Sequence, residues 1–207
     1  MAPTPRQDRP YHHGNLRAEL IEASFGVLAE HGLGQFSVAK VARAVGVSTA
    51  SPYRHFADRD HLLAAVAAQA ALELADRMRG DIDNAEQDPR ERLAVTAGTY
   101  VRYVAERGAG FNVIFSGPLT RLEQTELSNA GRRLISLLME LAERALDAPG
   151  PDEALLVLER HIVSAHGYVT LHRDGFFSGR RPEDTVETIA ERATQATRDL
   201  LRLTRCA

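Results

Sequence analysis

The chain has 207 residues, of which 44% are hydrophobic and 26% charged, and its formal net charge is −3. This length and apolar content allow a sizeable core in one large or two small domains, and two helical domains fit best. No stretch approaches the roughly 20 consecutive apolar residues of a membrane span, and the first ten residues lack the apolar core of a signal peptide. We therefore expect a cytoplasmic protein. Its single cysteine, Cys206, excludes an internal disulfide and a cysteine-pair metal site.

The charge is distributed unevenly along the chain. Residues 1–61 contain 7 Lys or Arg against 6 Asp or Glu, whereas residues 62–207 contain 18 against 22. The amino-terminal part is therefore less repelled by a polyanion such as DNA than the remainder is.

The chain begins with an arm, residues 1–13, that contains Arg6, Arg9 and three prolines. It is predicted to be a solvated tail or, alternatively, a minor-groove or phosphate contact. A first helix is predicted from about Asn15 to His31, because its apolar side chains form a broad stripe that ends at Gly32.

A helix, a glycine turn and a second short helix are predicted between Ser37 and Phe56. Ser37 is a good N-cap, and Phe36 and Val41 can pack as a hydrophobic staple. Gly46 stands where a left-handed residue must end the first helix, and Ser48 can open the next. This layout places side chains in a DNA major groove.

The second helix carries hydrogen-bond donors suited to phosphates or base edges. The donors are Thr49, Ser51, Tyr53, Arg54 and His55. Phe56 is predicted to point inward as an anchor. Pro52 removes one amide donor and disfavours a helical residue before it, so either the helix begins at Ser51 or its first turn is distorted.

The segment from about Tyr11 to Leu63 resembles the DNA-binding domain of the TetR family of bacterial transcriptional regulators. The spacing from Gly32 through Gly46 to Tyr53, His55 and Phe56 carries this resemblance. It implies phosphate contacts by Tyr53 and His55, groove contacts by Thr49 and Ser51, and a phosphate near Arg59. The candidate DNA-binding residues are Ser37, Lys40, Ser48, Thr49, Ala50, Ser51, Tyr53, Arg54, His55 and Arg59.

Residues 11–17, together with His166 and Gly167, are similar to a subgroup of this family named for a Trp-His-Gly signature. This chain has no tryptophan, and Ile162 lies where the tryptophan of the subgroup is expected.

The remaining residues predict an all-α second domain and no strands, so the expected domains are residues 1–63 for DNA binding and 64–207 for effector binding and dimerisation. A helix capped by Asp58 would link the two domains and extend to Arg79, before a loop at Gly80 to Asp88. The further predicted helices span Arg90 to Arg107, Thr120 to Leu146 and Asp152 to Arg173, with a last one from Pro182 and a brief helix or pocket lip at Phe111 to Phe115.

Two stretches predict a dimer interface. The helix from Asp152 to Arg173 is apolar on almost every side, as expected of a helix that a partner subunit covers. The last helix has a second apolar stripe with steps of three or four residues. This stripe consists of Val186, Ile189, Ala193, Ala196, Leu200 and Leu203.

Aromatic and apolar side chains of the second domain predict either a ligand cavity between helices or an ordinary core. The family resemblance implies an effector pocket in this domain. The candidate pocket residues are Tyr100, Tyr103, Val104, Phe111, Phe115, Leu138, Met139 and His166. The pair His166 and Gly167 marks either close helix packing or a polar group in that cavity.

Metal and catalytic sites are not predicted. His161, His166 and His172 are five and six residues apart, which does not align two ligands on one helical face. Nucleophile-elbow, phosphate-loop and dinucleotide motifs are absent from the sequence. We therefore expect no cofactor and no enzymatic activity.

These features together predict a homodimeric regulator that binds an inverted-repeat operator in double-stranded DNA. A small-molecule effector would release it, as expected of a repressor. The alternatives are a ligand-independent DNA-binding protein and, third, a helical enzyme on the same fold.

Overall fold

The computed structural model describes residues 16–122, 124–146, 149–177 and 185–203. Its α-helices are α1 (Leu16–His31), α2 (Val38–Val45), α3 (Arg59–Asn84), α4 (Pro89–Arg107), α5 (Phe111–Ile114), α6 (Gly117–Thr120), α7 (Thr125–Ala145), α8 (Pro151–Arg173) and α9 (Val186–Leu203). Short 3₁₀ turns span Leu33–Gln35 and Ser51–Arg54. No strand occurs in these ranges, which confirms the all-α prediction. The predicted arm (1–13), Asn15, Pro182 and Cys206 lie outside them.

None of the helices in the described ranges combines the length and the apolar character that a membrane crossing requires.

The amino-terminal helices pack through the stripe predicted for the first helix. Leu20, Phe25 and Leu28 of α1 are buried together with Val41 of α2 and Leu62 of α3. Burying such side chains stabilises the fold by about 1.5–3 kcal/mol each. The stripe therefore fixes α1 across the two helices that follow it.

Both predicted ends of α2 are confirmed. The Ser37 hydroxyl accepts a hydrogen bond from the Lys40 amide at 3.3 Å, as an N-cap does. Gly46 has φ 83° in the left-handed region and donates its N–H to the Ala42 carbonyl at 3.0 Å. Val47 donates to the same carbonyl at 3.0 Å, so the turn closes tightly.

The predicted second helix is a single 3₁₀ turn, Ser51–Arg54, and not an α-helix that opens at Ser48. Pro52 has no N–H to donate to the Ser48 carbonyl, so an α-helical ladder cannot start there. Ser51 donates to that carbonyl instead, at 3.0 Å. Phe56 is buried and its amide bonds to the Pro52 carbonyl, which confirms it as the inward anchor.

Two predicted boundaries in the second domain are wrong. The expected loop from Gly80 begins only at Ala85, because Ile82 is buried one turn after Met78 and continues the apolar face of α3. The helix predicted from Thr120 begins only at Thr125, as α7, since the backbone at Gln124 is extended; Thr120 is instead the last residue of α6. α3 also runs unbroken across residues 63 and 64, so the domain boundary placed there stays a prediction.

The carboxyl-terminal helices surround α4, which packs against α3, α7, α8 and α9. The predicted interface stripe of α9 is wrong for Ile189 and Ala193. Both are fully buried within the chain, on the face of α9 that packs toward its neighbours. Leu203, by contrast, is 72% exposed.

His161 is a buried polar group between α4, α8 and α9. Its Nε2 lies 3.1 Å from the Thr96 hydroxyl and its Nδ1 lies 2.9 Å from the Thr197 hydroxyl. The Thr96 hydroxyl donates to the Leu93 carbonyl at 2.7 Å, so its oxygen accepts a hydrogen bond from the Nε2–H of His161. Burial lowers the pKa of His161 to about 4, so the ring is neutral at pH 7.

We predict that His161 makes the fold less stable in mild acid. An unfolded histidine binds a proton near pH 6.5, whereas the folded one resists it down to about pH 4. The contribution of the neutral His161 ring to the free energy of unfolding is therefore fully present above pH 6.5. It is lost as the pH falls from 6.5 to about 4. This difference in pKa corresponds to about 3 kcal/mol, which urea unfolding at pH 7.5, 5.5 and 4.5 would measure.

His161→Phe is the matched variant, because it keeps a planar ring and both threonine hydroxyls still have backbone carbonyls to bind. Its unfolding free energy should depend less on pH over this interval. Equal pH dependence in the two proteins would contradict the assignment.

Candidate nucleic-acid interface and effector site

The ten candidate DNA-binding residues lie on one continuous segment from the cap of α2 to the first residue of α3. Six are exposed: Ser48, Thr49, Ala50, Tyr53, Arg54 and His55. Four are half-buried: Ser37, Lys40, Ser51 and Arg59. Their assignment to DNA contacts stays a prediction.

The 3₁₀ turn presents its polar side chains outward because it is anchored at both ends. Pro52 and Phe56 are buried, and between them Tyr53, Arg54 and His55 are exposed, Tyr53 at 56%. Two inward anchors four residues apart hold this short segment without a long helix. The buried anchors therefore fix the position of the turn, and its exposed side chains are accessible to a polyanion.

Arg59 holds this unit together. Its Nε donates to the Phe36 carbonyl and one terminal nitrogen donates to the Leu33 carbonyl, both at 3.1 Å. The other terminal nitrogen bonds to Asp60 at 2.9 Å. These bonds join the start of α3 to the turn before α2, which is a positioning role that the sequence did not indicate.

Asp58 caps α3 in the way that the sequence predicts. One carboxylate oxygen accepts from the His61 amide at 2.9 Å and lies 2.8 Å from the His61 ring. The hydrogen bonds from His61 lower the pKa of Asp58. A charged cap therefore sits directly after the exposed turn.

Four of the candidate effector residues form one connected cluster. The Tyr100 and Phe111 ring centroids are 4.8 Å apart, and those of Phe111 and Phe115 are 5.4 Å apart. The Tyr100 hydroxyl lies 2.7 Å from Nδ1 of His166. α4, α5 and α8 thus meet at this cluster.

Hydrogen bonds order the cluster in one direction. The Phe111 amide donates a hydrogen bond to the Tyr100 oxygen at 3.0 Å. The Tyr100 hydroxyl can therefore donate its own hydrogen bond to Nδ1 of His166. Burial, together with the nearby charge of Arg173, lowers the pKa of His166 and favours the neutral ring that this bond needs. Burial also raises the pKa of Tyr100, which keeps its proton.

The glycine before α5 is required by this cluster. A Cβ at Gly110 would lie 2.5 Å from the Tyr100 hydroxyl and 2.9 Å from a Val104 methyl carbon. At Gly167, by contrast, a Cβ would meet no atom within 4 Å. Gly167 is therefore not in close contact with another described helix of the same chain, whereas the polar role of His166 is consistent with its bond to Tyr100.

The other candidate effector residues lie apart from the cluster or in the packed interior. Tyr103 faces α3, where its hydroxyl donates to Glu73 at 3.3 Å and its ring lies under Arg77. Leu138 is fully buried, Val104 nearly so and Met139 half-buried. Whether all eight residues contact one ligand stays a prediction.

Two cavities adjoin the cluster. A polar cleft of about 610 Å³ between α1 and the core includes Val104 and His166, with Thr170 and Arg173 as residues that the sequence analysis missed. An apolar cavity of about 370 Å³ between α5 and α7 includes Phe115. Thr170 is one helical turn from His166, a spacing that marks it as a neighbour.

The amino-terminal helices are joined to the core at the end of α4. Arg107 bonds to Glu22 of α1 at 2.7 and 2.9 Å and to Glu73 of α3 at 3.0 Å. Its guanidinium also lies 3.9 Å from the Phe25 ring centroid. The bonds from Arg107 lower the pKa of Glu22. One side chain thus connects three helices.

Comparison with known proteins agrees with this geometry. Residues 20–66 match the family model described as bacterial regulatory proteins, tetR family. Residues 93–197 match the model of a tetracyclin repressor-like C-terminal domain. The fold and the exposed helix-turn-helix segment define a DNA-binding transcriptional regulator.

The chain belongs to the TetR family of transcriptional regulators. It is 28% identical over 137 residues to the HTH-type transcriptional regulator BetI of Stenotrophomonas maltophilia, a match that covers 64% of this chain and 70% of BetI. A solved protein of unknown function from Rhodococcus sp. RHA1 is 27% identical, with a TM-score of 0.70 over 93% of this chain and 98% of that one. The LfrR regulator of Mycobacterium smegmatis, solved with proflavine, is 16% identical, with a TM-score of 0.63 over 87% and 93%.

We predict that Gly108→Ala disrupts the junction between α4 and α1. A Cβ there would lie 2.4 Å from the Ala29 amide nitrogen, and φ is 68°. The matched variant is Gly46→Ala, where the backbone is also left-handed, with φ 83°, but no atom lies within 4 Å. Gly46→Ala should therefore cost only the backbone strain, about 1–2 kcal/mol, and Gly108→Ala clearly more.

Urea unfolding of the three proteins measures this difference. Equal losses of unfolding free energy in the two variants would mean that α1 moves away from Gly108 at no cost. That result would contradict the prediction.

Proposed function

We propose that this chain is a repressor that a small-molecule effector releases from its operator. The observation that carries the DNA-binding half is the exposed turn of Tyr53, Arg54 and His55 held between two buried anchors. In this proposal Tyr53 and His55 bind backbone phosphates, and Thr49 and Ser51 face base edges. Arg59 acts by holding the turn, since its nitrogens already bond within the chain.

The proposed repressor acts as a homodimer on an inverted repeat. α8 exposes Leu155, Leu156, Val163 and Leu171, the third at 70%. Such apolar side chains on one helix favour cover by a second copy of the chain. Two recognition turns related by a twofold axis would then meet half-sites about one helical turn, roughly 34–36 Å, apart or a multiple of it.

The effector half of the proposal is supported by the cluster of Tyr100, Phe111, Phe115 and His166. It combines stacked aromatic rings with one directed hydrogen-bond chain, and two cavities adjoin it. LfrR, which has the same fold, was solved with the aromatic molecule proflavine. α3 runs from the recognition unit into the core, so a tilt caused by a ligand would change the spacing of the two recognition turns.

The second candidate is a ligand-independent DNA-binding protein. The filled interior around Tyr103 and Leu138 favours it, because both side chains are fully buried. The two candidates share the DNA-binding surface and differ only in the response to a ligand.

Selection of sites from random DNA tests the DNA-binding surface. Tyr53→Ala or His55→Ala should weaken all binding nearly uniformly, because phosphate contacts carry no sequence information. Thr49→Ala or Ser51→Ala should change the preferred base at particular positions, by about 1–3 kcal/mol for a good contact. The selected sites should be inverted repeats.

Arg144→Ala, on α7, removes an exposed side chain away from both the turn and the proposed dimer face of α8 and serves as the control. Unchanged base preferences in both Thr49→Ala and Ser51→Ala would contradict the assignment of base contacts to these two residues.

Thermodynamic linkage tests the effector. A compound found by thermal shift is titrated against free and operator-bound protein. An inducer that favours the non-DNA state by about 1–3 kcal/mol reduces operator affinity about 5–150-fold, and DNA reduces the affinity for the compound by the same factor. If every compound that raises the melting temperature binds both forms equally, the ligand-independent candidate is favoured.

A further inference from the structure

The apolar cavity between α5 and α7 borders a positively charged groove. Its walls are formed by Ile114, Phe115, Leu127 and Ile135. Arg132 and Ser136 line this cavity and also a second one of about 720 Å³, to which Arg79 and Arg133 contribute. An apolar wall and a cluster of guanidinium groups thus share one rim on α7.

Among the described residues, two of the three guanidinium groups on this rim have no acidic partner. Arg79 is paired with Asp76 at 2.8 Å, and the one carboxylate that lines the groove, Glu140, is paired with Arg144. Within the part of the chain that the structure describes, Arg132 donates only to the neutral amide oxygen of Asn129, at 2.7 Å. Arg133 forms no ion pair with any residue in the described ranges. Two guanidinium groups are therefore available to an anion.

We propose that this site binds a small amphipathic carboxylate, with the apolar part in the cavity and the carboxylate on Arg132 beside Arg133. A guanidinium group presents paired donors that match a carboxylate, and such charge-assisted bonds are about twice as strong as neutral ones. A volume of about 370 Å³ is near the lower end of small-ligand pockets, which start at roughly 300 Å³, and it accommodates one tail or ring. The ligand is therefore a free molecule and not a bilayer.

The position of the site connects it to the effector cluster. Phe115 forms a wall of the cavity and stacks on Phe111, which in turn lies against Tyr100. A tail in the cavity would press on the first ring of this series. The role of the carboxylate as effector rests on the proposed function, whereas its binding does not.

Calorimetric titration of the full chain with decanoate and with decanol, without DNA, tests the binding. Decanoate should bind with one saturable site and about tenfold more tightly than decanol. The double variant Arg132→Gln with Arg133→Gln should lose that advantage and leave decanol binding unchanged. Ile135→Gln should weaken both ligands, since Ile135 is a half-buried wall of the cavity.

Arg43→Gln, which removes one positive charge from the exposed face of α2, is the control for a general effect of charge on binding. It should bind decanoate as the wild type does. Both arginines of the double variant are exposed, so the variant tests the proposal even if Ile135→Gln fails to fold. Phosphatidylglycerol vesicles, added as competitor, should not displace decanoate.

Three results would overturn the proposal: no saturable binding of decanoate, equal affinity for decanol, or full decanoate affinity in the double variant. Vesicles that bind the protein and exclude decanoate would indicate a membrane surface instead. Binding of decanoate without release of operator DNA would contradict its role as effector and leave the site intact.

Discussion

The contact between the end of α4 and α1 determines how the amino-terminal helices sit on the rest of the molecule. At Gly108 the backbone of α4 comes so close to α1 that no Cβ fits beside Ala29. Arg107, the residue before it, binds carboxylates of α1 and α3 and stacks on Phe25. Because an unpaired charge in a half-buried site is costly, these three helices are expected to keep one arrangement.

The junction sets the position of the exposed turn through two connections, the packing of α1 on α2 and the start of α3 just after the turn. α1 packs on α2, and α3 starts three residues after the buried Phe56. Arg59 closes the unit by binding the carbonyls before α2. A short 3₁₀ turn can therefore present Tyr53, Arg54 and His55 steadily, although it is too short to be stable alone.

Local sequence signals predicted the fold where a single residue determines the backbone. The cap at Ser37, the left-handed Gly46 and the anchor Phe56 are all confirmed. Pro52 indicated that the second helix is incomplete, because the residue has no N–H for a helical hydrogen bond and this can be read from the sequence. The continuation of α3 past Gly80 depends instead on the burial of Ile82 by other helices, which no local pattern reveals.

The candidate effector site could be predicted only in part. Aromatic content predicted Tyr100, Phe111 and Phe115, and the pair His166 and Gly167 indicated a polar group; these aromatic side chains and His166 do meet in the structure. The same content also included Tyr103, which faces α3, since residues 100 and 103 are neighbours on the helix but bond to different partners. The positive rim at Arg132 was missed, because it depends on which acidic side chains lie nearby in space, and the described residues pair none with Arg132 or Arg133.

Native-state hydrogen exchange on the wild type and on Arg107→Gln would test most directly whether the junction holds the amino-terminal helices in place. If the junction holds these helices, amides of α1 and α2 exchange at least about tenfold faster in the variant, while those of α8 and α9 keep their protection. Equal protection of α1 and α2 in the two proteins would contradict it.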